Sequence, residues 1–233
     1  MKNYYAIQQA EGNAEVYIFG DITAFPLMPG EVSARSLVDQ LQALDANTID
    51  VHIDSCGGDI CEAWAIYNAL KSHPARVRTY GDGFVASAAL YPFLAGEERI
   101  ASNLSAYYLH QVVRGARGYP EELRAAADDA EKMTEIGVSA FVDNTRMTAQ
   151  EVLDLMKAET WLTPGEALER GIATAIQADP APVYAQSAKG LLLQKVLGQV
   201  PDHPEKTKPQ ERPVPTLMQL LAGAFHLTEK EDN

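Results

Sequence analysis

Three short apolar runs, each followed within a few residues by a helical pattern, restrict what this chain can fold into. "EVYIFG" (Glu15 to Gly20), "TIDVHID" (Thr48 to Asp54) and "ARVRTYG" (Ala75 to Gly81) have the length and alternation of strands. "SARSLVDQLQAL", with Ser33 as N-cap, "ICEAWAIYNALKSH", ended by Pro74, and the mostly apolar "FVASAALYPFLAG" read as helices. Strand and helix alternating across short turns call for parallel strands joined by right-handed crossovers, an α/β architecture. In such sheets chemistry collects at the turns leaving the strands. Two of those turns carry glycine pairs: Gly57 with Gly58, and Gly81 with Gly83.

The second half continues the pattern. "AYYLHQ" (Ala106 to Gln111) reads as a strand, and Pro120 suits the first position of a long helix reaching Asn144. "TAQE" (Thr148 to Glu151) and "TPGE" (Thr163 to Glu166) have capping-box spacing, and "ATAIQA" (Ala173 to Ala178) closes the body as a strand. This defines a folded domain over 1–179. From Pro180 the composition changes. "PDHPEKTKPQERPVP" is a charged, proline-rich linker between two short apolar patches, so 180–233 is expected to be a largely flexible tail with short helical pieces.

Composition removes several function classes. A net charge of -13 argues against nucleic acid as a partner, since phosphate binding needs clustered Lys and Arg. Two cysteines, Cys56 and Cys61, make neither a disulfide framework nor a zinc set, and read as small buried or half-buried residues. The first residues lack a signal-peptide core and no run is long enough to span a membrane. The expectation is a cytoplasmic protein with no membrane partner, metal or organic cofactor.

Ser87 stands alone among small residues in "YGDGFVASAAL". It is either a packing residue or a nucleophile, and a nucleophile needs a base, an orienting acid and oxyanion donors. His73 sits at a helix end where a dipole role suffices; His203 and His226 fall in the tail; His52 lies on a strand, on its polar face. His110 ends a strand, where a parallel sheet opens its reactive edge. The backbone of Gly57 and Gly58 allows close approach of a substrate, and the helix start after Ser87 adds free N–H groups. Each of these residues also has an ordinary packing reading.

Their order resembles a known family. "HIDSCGGDICEAWAIYNALK", "GFVASAALYPFLAG", "YYLHQVVRGARG" and "ETWLTPGEALERGIAT", in that sequence, are similar to the proteolytic subunit of the Clp peptidase family, over roughly Glu15 to Ala178. The "ASA", "LHQ" and "TWLTPGEALERG" wording is most similar to phage-type members, the ClpP-related head maturation proteases. The resemblance implies a ClpP/crotonase-type spiral of strand–turn–helix units with a long handle helix. It implies Ser87 as nucleophile, His110 as general base and Glu159 as the acid, two residues before the aromatic Trp161; Asp154 is the alternative if the register differs. The oxyanion donors would be the N–H groups of Gly58 (or its neighbour Gly57) and Ala88. Cys56 replaces the family's usual Pro, and Ala88 its usual Met.

The implied function is a serine endopeptidase assembled into homo-oligomeric rings, acting on polypeptides without cofactor. The sharper expectation is a phage or prophage enzyme trimming capsid and scaffold proteins. The alternative is a housekeeping subunit fed with unfolded chains by an ATPase. Against that alternative stand the proline-rich tail and an N-terminal region expected to be too short for the family's axial loop. A crotonase-fold acyl-thioester enzyme and an inactive ring scaffold are the readings from other classes.

Overall fold

The computed structural model describes residues 7–10, 12–27 and 30–177, all within the first of two units of the chain, Met1–Tyr184. The expectations for the tail at 180–233, its two apolar patches and the linker lie outside the described residues.

An eight-stranded sheet forms the centre. β1 (Ile7–Ala10) pairs antiparallel with β2 (Asn13–Phe19), followed by α1 (Ala34–Leu41), β3 (Thr48–Ser55), α2 (Ile60–Ser72) and β4 (Arg76–Ala86). A single 3₁₀ turn (Ser87–Ala89) leads into α3 (Leu90–Leu94), β5 (Glu98–Ala101) and β6 (Ala106–Leu109). α4 (Pro120–Asn144), α5 (Ala149–Lys157), β7 (Thr160–Leu162), α6 (Pro164–Arg170) and β8 (Ala175–Ile176) complete the order. The strands lie β1-β2-β3-β4-β5-β8, with β6 also on β4 and β7 on β6; β2 through β5, β6 and β8 pair in parallel and β7 returns antiparallel. This is the anticipated α/β fold of strand–turn–helix units, with α4 as the long helix.

Alternation along the central strands sets the core. Val16 and Ile18, then Ile49, Val51 and Ile53, then Val77 point to one side and are buried with Leu37, Leu41, Ile66, Leu70 and Phe93 of the helices. On the other face Tyr17, His52 and Tyr80 stack across β2, β3 and β4 at 5.0 and 4.7 Å, and Asp82 holds the His52 Nδ1 at 2.7 Å. His52 is therefore a satisfied sheet residue. His73, at the C-terminal end of α2, is satisfied too: its ring nitrogens meet Leu41 O at 3.1 Å and the Ala75 N–H at 3.1 Å, so it also locks the turn into β4.

Two local expectations change. Gly81 and Gly83 do not form a strand-to-helix turn; β4 runs through them to Ala86. They mark where β4 exchanges neighbours, pairing with β5 over Arg78 to Gly81 and with β6 over Phe84 to Ala86. A Cβ on Gly81 would stand 2.5 Å from the Tyr107 hydroxyl, so the crossing strand leaves no room for a side chain. Cys56 and Cys61 are exposed rather than buried, because both flank the glycine turn at the open edge of the sheet.

Arg99 ties the C-terminal part of the body to the sheet. The residue is only 8% exposed, and its guanidinium donates to Ile172 O (2.7 Å), Gly96 O (2.9 Å), Asn144 O (2.7 Å) and Gly171 O (2.9 Å). Its partners are carbonyls, and burial lowers its pKa from the ordinary arginine value.

Candidate active site

β3 ends at Ser55, whose buried hydroxyl donates to Gly20 O at 2.6 Å and accepts from the Gly57 N–H at 3.0 Å. This fixes the turn that follows. Gly57 and Gly58 have φ of 95° and 138°, a region that L side chains rarely adopt. A Cβ on Gly57 would meet Ala86 O and Ala88 N at 2.7 Å and Ser87 Cβ at 2.8 Å, so the turn lies directly against Ser87. A Cβ on Gly58 would run into Ile22 O on the other side. Asp59 then caps α2 by accepting from the Cys61 and Glu62 N–H groups.

Ser87 itself has φ 57°, left-handed for a non-glycine residue, at the junction between β4 and the 3₁₀ turn. The strand thus delivers the side chain at a strained corner, a feature the small neighbouring residues did not reveal. Its Oγ lies 2.6 Å from His110 Nε2, and with a neutral imidazole the hydroxyl is the donor. His110 follows directly on β6, which runs parallel to the end of β4 with Ala86 opposite Tyr108. Both side chains open into a cavity of roughly 490 Å³, lined on its apolar side by Leu90, Tyr91, Met133, Phe141 and Met156. Gly58 and Ala88 line the same cavity. Among the described residues the Gly58 N–H has no partner, while that of Gly57 is taken by Ser55. The segment after His110 is anchored to α4 where Thr134 Oγ1 accepts the Val112 N–H at 3.1 Å.

The expected acid is not bonded to His110. Among the described residues, the imidazole has one hydrogen bond, to Ser87, and no carboxylate reaches its Nδ1. Asp154 accepts from Gln150 Nε2 at 2.8 Å and is exposed. Glu159 is exposed as well, but its place in the ladder is informative. β7 pairs with β6 through Leu109 and Thr160, so His110 and Glu159 are the two residues immediately beyond the last pair, where the Glu159 N–H turns back to Met156 O at 3.2 Å. Glu159 also has a left-handed φ of 50°. The end of the β6–β7 ladder therefore places Glu159 near His110, with no hydrogen bond between its carboxylate and the imidazole.

Chemically, this is a hydroxyl on a strained turn, an imidazole placed to take its proton, and an unused backbone N–H facing the same space. Those are the parts of a serine-type acyl-transfer centre. Among the described residues no cluster of three or more metal-ligating side chains occurs, and no helix is long and apolar enough to cross a membrane.

Residues 28–179 match the family model described as Clp protease. The chain belongs to the Clp protease family and is a serine peptidase, a hydrolase. It is 29% identical over 155 residues to the ATP-dependent Clp protease proteolytic subunit 2 of Treponema pallidum, covering 63% of this chain and 78% of that protein. The subunit of the same name from Borreliella burgdorferi is 33% identical over 140 residues, 57% of this chain and 68% of the relative. A solved structure of a mutant ClpP1 from Listeria monocytogenes aligns with a TM-score of 0.60 at 25% identity, covering 71% of this chain and 91% of that one.

Proposed function

We propose that the chain is a serine endopeptidase in which His110 deprotonates Ser87 as Ser87 attacks a peptide carbonyl. The N–H groups of Gly58 and Ala88 receive the oxyanion, and water releases the acyl-enzyme. The observation that carries this is the 2.6 Å contact between Ser87 Oγ and His110 Nε2 in a cavity shared with Gly58. Gly58 rather than Gly57 is the donor, because the Gly57 N–H is already spent on Ser55. Glu159 is the acid: rotating its side chain toward the adjacent strand brings a carboxylate to the free edge of the imidazole, a proposal supported by the ladder register. Assembly into a homo-oligomeric ring is supported by the half-exposed apolar residues Leu123, Ile136 and Val142 along α4.

Within that class the chain is a head maturation protease acting on capsid and scaffold proteins. Support comes from its motif wording and from the proline-rich composition after residue 179, where the family match ends. The second reading, a degradative subunit working with an ATPase, is favoured by the names of the relatives. Intact-mass spectra over days distinguish the two. The maturation reading expects wild type to trim itself between Pro180 and Pro215 while Ser87→Ala stays full length. If both stay full length, the degradative reading gains.

A further inference from the structure

His110 is held on one edge by Ser87, yet its other ring nitrogen has no partner among the described residues. An imidazole bonded at one atom can still swing about its χ angles, so something else must fix its plane. The Tyr108 ring lies 5.4 Å from the His110 ring at an interplanar angle of 31°. Trp161 stacks on Tyr108 at 4.5 Å and 23°, and Phe84 closes edge-on against Trp161 at 5.8 Å and 65°. Three strands supply this column. Tyr108 and His110 are two residues apart along the β6 line and so share a face, Trp161 is the β7 partner of Tyr108, and Phe84 comes from the end of β4. Core packing does not account for it, since Trp161 is 53% exposed and Phe84 49%.

We propose that Tyr108, braced by Trp161, is the positioning residue for His110. Its ring fixes the imidazole in the rotamer that keeps Nε2 on Ser87 Oγ. It also offers a π face to the imidazolium formed when Ser87 gives up its proton. This rests on the reading of His110 as general base. It gives the aromatic stack the task of holding the ring plane and leaves the other ring nitrogen to the Glu159 carboxylate.

The test compares Tyr108→Leu, Tyr108→Phe and Trp161→Leu with wild type and His110→Ala. Labelling rate by a fluorophosphonate probe and kcat and KM on a cleaved peptide are read beside melting temperature and assembly mass. Tyr108→Leu should slow labelling and lower kcat roughly three- to tenfold, with KM changed less than about twofold. Tyr108→Phe should restore both, because the ring and not the hydroxyl is at work. Trp161→Leu should act in the same direction but less, and it keeps the test open should Tyr108→Leu not fold. Wild-type rates in both leucine variants would overturn the proposal, as would an equal loss in Tyr108→Phe. A loss that tracks a falling assembly mass would reassign the patch to subunit contact and overturn it too. If His110→Ala itself labels as fast as wild type, the general-base reading fails first and the proposal falls with it.

Discussion

Arg99 and Ser87 are both polar groups set into an apolar body, and they are satisfied in opposite ways. The Arg99 guanidinium spends its donors on four carbonyls from the turn before β5, the end of α4 and the turn after α6. Around Ser87 the account is left open: one hydrogen bond to His110, a left-handed backbone, and a Gly58 N–H without a partner among the described residues. Complete satisfaction makes a clamp. Incomplete satisfaction, held in place by a glycine turn that tolerates no side chain, makes a site where a substrate can supply what is missing.

Substitutions at the two centres should therefore separate activity from stability. His110→Ala is expected to lower kcat by about 10⁴-fold, while urea unfolding shifts by less than about 1 kcal/mol. Equal losses in both measurements would erase the distinction. Arg99→Met should do the reverse. Orphaning four buried carbonyl contacts is expected to cost about 3–5 kcal/mol of stability, with the folded fraction still turning over substrate.

Glu159→Gln sharpens the site side of the comparison. If the carboxylate swings onto His110 during turnover, kcat should fall about tenfold or more with an unchanged melting temperature. A silent Glu159→Gln with a damaging Asp154→Asn would move the acid to Asp154.

The smallest effect concerns a second structural centre, the capping boxes. Thr163 and Thr148 hold Glu166 and Glu151, whose carboxyls are pushed below the usual range by the threonine backbone N–H first and its hydroxyl second. A depressed folded-state pKa gives stabilisation that is present above the unfolded value and lost as pH falls through the folded one. Protection of the amides at the starts of α5 and α6, taken relative to their intrinsic exchange rates at each pH, should thus fall in acid and stay flat at neutral pH. Thr163→Ala should cost about 1 kcal/mol.

How much of this was legible depended on whether the signal was local. Pro120 and Asn144 bounded the long helix, and Ser33, Thr148 and Thr163 marked their caps, because capping is written within four residues. The meeting of Ser87 with His110 could be reached only through motif order, since the contact spans two strands. The partner exchange of β4 was misread as a turn, because a glycine beside a crossing strand looks in sequence like a glycine in a loop. Arg99 left no signal at all: its partners are backbone carbonyls, which any residue supplies. The strand at Thr160–Leu162 was too short to show a period, and with it went the aromatic column beside His110.

The central claim is that Ser87 is the reactive hydroxyl of this chain, activated by His110. A fluorophosphonate probe followed by peptide mapping tests it in one measurement. A single modified residue, Ser87, is expected, with labelling abolished in Ser87→Ala and slowed by orders of magnitude in His110→Ala. Labelling at another residue, or labelling that persists unchanged in Ser87→Ala, would contradict it.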